Sequence, residues 1–141
     1  MDFVELLQRV SLFSLMSRGD LKRLAKLCQQ HDFSDGQVIT REGDLDGRLF
    51  VVAEGRVKVV KDLDGPNARE VAVLGPNSHF GELALVDDFR RTASVVADGP
   101  TRVVSLDQWN FRDTIKKYPS VAVELMQSLA RRLRNVEAQH C

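Results

Sequence analysis

Residues 80–93 read FGELALVDDFRRTA. Glu82 is the first polar side chain after a glycine in an apolar run, and Arg90 and Arg91 follow within ten residues. A charge is expensive inside a protein unless something pairs with it. These charges therefore point outward, pair with each other as a structural ion pair, or wait for a partner from outside the chain. The residue types favour the last. Gly81 permits close backbone approach to a ligand. The amides that open the short turn Leu83-Ala84-Leu85 point outward together and form a small anion site. Arg91, one loop further on at the start of a strand, can reach the same anion with its planar fork. Glu82 is an acceptor-only carboxylate, suited to a sugar hydroxyl. Amides and arginine for phosphate, with glutamate for ribose, describe a nucleotide with few phosphates. A triphosphate would need more basic groups and a magnesium site, and there is no GxxxxGK[ST] run.

Other chemistries find less support. Asp87 and Asp88 are adjacent, so they point apart rather than forming an acid–base pair. No serine or cysteine lies in a nucleophile motif. His31-Asp32 stands without further metal ligands, and Cys28 with His31 has no second pair to complete a zinc site. No enzyme and no metal are expected. Lysine plus arginine and aspartate plus glutamate number 20 each, a zero balance that argues against a surface gripping nucleic acid by itself. Arg131, Arg132 and Arg134 share their helix with Glu124 and Glu137, a solvated face. No apolar run reaches the ~18 residues of a membrane span, and MDFVELLQRV is not a secretory signal. Two cysteines, Cys28 and Cys141, make no disulfide framework. A reducing, cytoplasmic setting is expected.

The elements that must position Glu82 and Arg91 follow from hydrophobic period. With 141 residues, 43% hydrophobic and 28% charged, the chain suits one soluble domain with a single core. Val4, Leu7, Leu12, Phe13 and Leu15, then Leu21, Leu24, Ala25, Leu27 and Cys28, predict a helical N-terminus over residues 1–30. From residue 31 the period becomes two. Strands are expected at Val38-Ile39, Leu49 to Val52, Val57 to Val60, Val71 to Leu74, Ser94 to Ala97 and Arg102 to Leu106. The loop 41–47 and turns at Glu54-Gly55, 62–67, 75–77 and 98–100 separate them. Residues 31–106 thus read as a small antiparallel barrel or jelly roll. The fold class is mainly β with flanking helices. Asp107 caps a helix that runs to Tyr118, and Pro119 opens a last one, so 107–138 is a helix pair. Ala122, Met126, Leu129, Leu133, Val136 and His140 are spaced as an a/d seam, which predicts a homodimer through this helix. Val121, Leu125 and Ala130 form a second face for the barrel.

The pattern resembles the cyclic nucleotide-binding domain family, which includes the catabolite activator protein, the regulatory subunits of protein kinase A and the cyclic-nucleotide-gated channels. FGELAL followed by RRTA resembles its phosphate-binding cassette; REGD at 41–44, LFVVAEGRVKV at 49–59 and the helix ending in LARRLR fit as well. The resemblance spans the whole chain, residues 1–141 as one domain. It implies that Phe80, Gly81, Glu82, Leu83 and Ala84 form the cassette turn, with backbone amides on the cyclic phosphate and Glu82 on the ribose 2′-hydroxyl. Arg91 corresponds to the phosphate-binding arginine. Thr92 and Ala93 follow it, and the Thr92 hydroxyl can bond phosphate or base. Val59 and Val71 fall where the family lines the base pocket, and Arg132, Val136 and Glu137 lie at base level on the last helix. The implied ligand is cAMP, then cGMP, with no other cofactor. The family often has glycine and aspartate where Asn77 and Ser78 stand; asparagine tolerates a left-handed backbone, so the turn survives. Within these residues no helix-turn-helix, kinase-inhibitor segment or channel pore is expected. The alternative functions are a ligand-free dimerisation module and the sensor half of a transcription factor.

Overall fold

The run Leu49-Phe50-Val51-Val52 is apolar on both sides of the pleat because both sides are covered. The computed structural model describes residues 1–87 and 90–140, the side chains of Leu83, Gln139 and His140 excepted. Expectations for Asp88 and Cys141, and for His140 as a seam side chain, lie outside the described residues. The sandwich is two four-stranded antiparallel sheets. One has strands β1 (Gln29–Phe33), β8 (Thr101–Asp107), β3 (Arg48–Glu54) and β6 (His79–Phe80), in that order. The other has β2 (Val38–Thr40), β7 (Ser94–Ala97), β4 (Val57–Lys61) and β5 (Arg69–Leu74). This is the expected jelly roll. Phe50 and Val52 join Ile39, Val57, Phe80, Val95 and Val103 between the sheets. Leu49 and Val51 face the other way, into a larger cluster with Leu6, Leu7, Phe13, Phe111, Val121 and Leu125 from the helices. Period-2 alternation thus serves two cores at once.

The N-terminal helices are α1 (Phe3–Gln8), capped by Asp2, and α2 (Arg18–Ala25), capped by Ser17, with a 3-10 turn at Ser11–Phe13 between them. β1 starts two residues before the expected barrel. QQHDF has no apolar alternation, since this edge strand is held by backbone pairing along all five residues to β8. The turn at Glu54-Gly55 is present, with Gly55 at φ +82°. Asn77 adopts φ +70°, and its N–H donates to the Val52 carbonyl at 2.8 Å, so asparagine does hold the left-handed position.

At the other end α3 (Gln108–Lys117) begins at Asp107, whose carboxylate accepts from the Asn110 amide at 2.9 Å, and α4 (Pro119–His140) follows. Val121 and Leu125 pack on the barrel core as expected, but the third buried position is Ser128, and Ala130 is exposed. The step from 125 to 128 keeps the buried stripe on one face, where 130 turns away. Met126, Leu133 and Val136 of the expected seam are exposed, whereas Leu129 packs against the helical core. No helix among the described residues is long and apolar enough to cross a membrane.

Candidate functional site

β6 delivers His79 and Phe80 to Gly81, and a 3-10 turn at Glu82–Leu85 follows. Gly81 has φ +79°, which turns the chain into the 3-10 segment, and the Ala84 amide closes that turn on the Gly81 carbonyl at 3.0 Å. The amides of Glu82 and Leu83 come before that closure and have no partner within the turn. Phe80 is buried and stacks on Phe50 at 5.0 Å between centroids, which pins the start of the segment to the sandwich core.

Arg91 comes from the opposite side. Its backbone is held by the loop 41–47: Arg91 N–H donates to Asp44 O at 2.9 Å, and Gly43 N–H donates to Arg91 O at 2.8 Å. Arg91 was expected at a strand start; β7 begins only at Ser94, because these loop bonds take the backbone groups that a strand partner would use. The Arg91 side chain is 9% exposed. Nη2 donates to the Arg48 carbonyl and lies 3.6 Å from Asp46 Oδ1. Its buried Nε has no hydrogen-bond partner. The Phe50 ring lies 5.8 Å from its guanidinium carbon. Burial pushes the Arg91 pKa below its ordinary value; Asp46 opposes that shift and the neighbouring Arg48 adds to it. Asp46 is largely spoken for. Burial works against its charge, yet hydrogen bonds from Arg48 and Thr40 hold its carboxyl below the usual range.

Glu82 and Arg91 do not pair with each other but take different partners. Glu82 Oε1 lies 3.5 Å from Arg132 Nη2 of α4, and Oε2 lies 3.9 Å from His79 Nε2. Between the turn and the arginines is a cavity of about 390 Å³ lined by Gly81, Glu82, Ala84, Asp87, Arg90, Arg91 and Thr92. A larger cavity of about 510 Å³ lies beside it, against Leu45, Gln108 and Trp109, and holds neither Glu82 nor Arg91. Size and site chemistry point to different cavities, and the chemistry decides: the smaller one has the desolvated cation, the carboxylate and the glycine turn together.

A family model described as the cyclic nucleotide-binding domain matches residues 30–118. The chain belongs to the cyclic nucleotide-binding domain family. A relative in Mycobacterium tuberculosis, named a CRP-like cAMP-activated global transcriptional regulator, is 33% identical over 132 residues, 92% of this chain and 58% of that protein. A cGMP-dependent protein kinase egl-4 of Caenorhabditis briggsae is 32% identical over 122 residues, 81% of this chain and 16% of the kinase. Among solved structures, the N-terminal domain of a transcriptional regulator from Streptomyces coelicolor superposes with a TM-score of 0.86 at 31% identity, covering 96% of this chain and 95% of that one. The chain thus spans little more than half of the mycobacterial relative.

The other expected site residues of this cyclic nucleotide-binding domain fall as follows. Thr92 is exposed at the cavity rim and Ala93 is half-buried beside it. Arg90 is exposed and donates to the Gly43 carbonyl at 2.8 Å, so it lines the cavity mouth while bracing the 41–47 loop. Val59 is half-buried against the core between the sheets, across from Ala72, whereas Val71 is 48% exposed beside a register shift. Arg132 reaches the cassette through Glu82; Val136, one turn later, is 50% exposed, and Glu137 is exposed. Sequence reasoning missed Asp46 and His79. Asp46 lies in the 41–47 loop just past the REGD match at 41–44, and the His79 side chain is only 10% exposed. Cys28 donates to the Leu24 carbonyl, and burial pushes its thiol up to about 12, consistent with a core role.

Proposed function

We propose that this domain binds a cyclic nucleotide, cAMP before cGMP, in the cavity under Gly81 and Arg91. The observation that carries this is the buried Arg91 side chain with an unpartnered Nε, lining one cavity with the Gly81 turn and Glu82. Asp46, already bonded to Arg48 and Thr40, offsets the Arg91 charge only in part, and a cyclic phosphate supplies further counter-charge and acceptors. Glu82 accepts the ribose 2′-hydroxyl, since its carboxylate keeps acceptor sites beyond the one that faces Arg132. Ala84 closes the cassette turn beside the phosphate, Phe80 anchors it, and Thr92 and Ala93 border the base side. Val59 and Val71 line the base pocket, and α4 closes over the base with Arg132, Val136 and Glu137. The name of the M. tuberculosis relative favours cAMP, and that of the C. briggsae kinase keeps cGMP as the alternative. No catalytic step, cofactor or metal is part of this reading, nor a nucleic-acid or membrane partner for residues 1–141 themselves; the setting is cytoplasmic.

The exposed Met126, Leu133 and Val136 supply a homodimer seam, so occupancy is passed through α4 to dimer geometry, and the coupling runs both ways. The domain is then the sensing part of a larger regulator. The test is isothermal titration calorimetry with cAMP, cGMP and 5′-AMP. Tight binding of a cyclic form with 5′-AMP ignored is expected. Glu82→Ala weakens binding of the parent nucleotide but not of its 2′-deoxy analogue; equal losses for both would remove Glu82 from the ribose. No heat from well-folded, nucleotide-free protein would leave the ligand-free dimerisation module that the same exposed seam supports.

A further inference from the structure

His79 is the one histidine in contact with both the cassette and α4 among the described residues. Arg132 Nη1 lies 3.1 Å from His79 Nε2. A guanidinium carries donors only, so Nε2 must accept, and the imidazole is neutral with its proton on Nδ1. On the other side Glu82 Oε2 lies 3.9 Å from the same Nε2, and Arg132 Nη2 lies 3.5 Å from Glu82 Oε1. Three side chains from β6, the 3-10 turn and α4 close a triangle. Ser128 and Leu129 are the last buried or half-buried apolar-face positions of α4, and residues 131–138 are exposed. Arg132 is where that outer half of the helix touches the barrel.

We infer that His79 is a positioning residue: its neutral imidazole seats Arg132 against Glu82, so that one proton on His79 releases the outer half of α4 from the cassette. A protonated Nε2 would face a second cation at 3.1 Å with no lone pair to offer it. It would turn to Glu82 Oε2 instead, and Arg132 would lose its acceptor on His79, face a repelling imidazolium and share the one carboxylate with it. The charged groups facing His79 are Glu82 and Arg132; its sheet neighbour β3 presents Val51 across from it. Burial pushes the His79 pKa below its ordinary value, Glu82 opposes this, and Arg132 adds to it. The neutral form is therefore the resting one at pH 7, and the proton enters below about 6.5. The consequence for ligand rests on the cyclic-nucleotide reading. If Glu82 holds the ribose and α4 closes over the base, affinity falls as His79 takes up its proton, and bound nucleotide lowers the His79 pKa in return.

The experiment is an NMR titration of the ligand-free protein from pH 8 to 5, following the imidazole signals and the α4 amides of residues 129–136. His79 is expected to titrate below about 6.5, with the α4 amides following the same midpoint. Arg132→Ala raises the His79 midpoint, because it removes the neighbouring cation, and flattens the α4 response. His79→Gln keeps a neutral acceptor for Arg132 and makes α4 insensitive to pH. A His79 midpoint unmoved by Arg132→Ala, or α4 amides that ignore it, overturns the inference. A second arm measures cAMP binding at pH 7.5 and 5.5. A loss of about three- to tenfold in the wild type that is absent in His79→Gln supports the coupling; the same loss in both sinks it. If no cyclic nucleotide binds at either pH, the proposed ligand fails while the ligand-free titration still decides the role of His79.

Discussion

A Cβ placed on Gly81 would run into Nη1 of Arg91 and lie 2.8 Å from the Arg48 carbonyl. The residue before the cassette turn and the arginine after it thus occupy space that no side chain can share. Gly81 also sits at φ +79°, so glycine is required twice over, by conformation and by contact.

Gly81→Ala is therefore expected to damage the site more than the fold. The left-handed conformation costs about 1–2 kcal/mol, seen as a lower urea midpoint with an unchanged slope. The Cβ also displaces the guanidinium from its seat, so cyclic nucleotide affinity falls by at least about tenfold. Calorimetry against cAMP alongside urea denaturation separates the two effects. Binding at wild-type strength would mean that the ligand does not use Arg91 where it now lies.

Arg91→Ala separates ligand binding from folding still more sharply. In the ligand-free domain the buried guanidinium has an unpartnered Nε, and Asp46 keeps Arg48 and Thr40 as partners without it. Unfolding free energy should move by no more than about 1 kcal/mol. Binding should weaken by about 3–5 kcal/mol, several hundredfold or more, because the phosphate loses its charged partner. Near-normal affinity by calorimetry would remove Arg91 from the phosphate. Arg91→Lys should recover only part of the loss, since an ammonium keeps the charge but not the planar fork.

Much of this arrangement was legible before any coordinates. Glycine turns and alternating valines marked β3, β4, β5, β7 and β8, and Asp107 and Pro119 marked both C-terminal helix starts. What escaped was whatever depends on partners distant in sequence. β1 is QQHDF, with Phe33 its one apolar residue, and is a strand because β8 pairs with it. Asp46 becomes part of the site only when the 41–47 loop closes over Arg91. His79 looks like any surface histidine until α4 brings Arg132 to it. Ser128 in place of Ala130 shows the limit of period alone: the helical stripe was correct, but its third step was misjudged.

Acid should unfold the domain in two stages, in each of which the unfolded chain takes up protons before the folded one does. His31 and His79 both have pKa values depressed below the ordinary value, chiefly by burial. Their neutral forms belong to the folded state, so stability is full above about 6.5 and declines as pH falls through the depressed values. Asp46 is held below the usual carboxylate range against its burial by Arg48 and Thr40. Its contribution is present above about 3.9 and is lost as pH falls further through its lowered folded value. Urea unfolding from pH 8 to 3 should show both declines. Asp46→Asn should cost about 1–3 kcal/mol at pH 7 and much less at pH 3. An equal cost at both pH values would show that Asp46 contributes through packing rather than charge.

The α4 seam makes a prediction about assembly. Met126 and Leu133 are each 59% exposed and Val136 is 50% exposed, three large apolar side chains at heptad spacing. The buried stripe of the same helix, Val121, Leu125 and Ser128, already packs on the domain, which leaves the second stripe uncovered as a dimer seam would require. Analytical ultracentrifugation should find a dimer whose dissociation rises sharply in Leu133→Glu and in Met126→Glu. Each substitution places a carboxylate where its symmetry mate would stand opposite it. Neither touches the barrel, so monomer melting in dilute solution should change little. If ligand closure of α4 sets the dimer geometry, the wild-type dimer constant must shift on adding cAMP, by the same factor as affinity shifts with dimerisation. A monomeric wild type at all concentrations would assign the exposed stripe to some other surface and confine the ligand response to one chain.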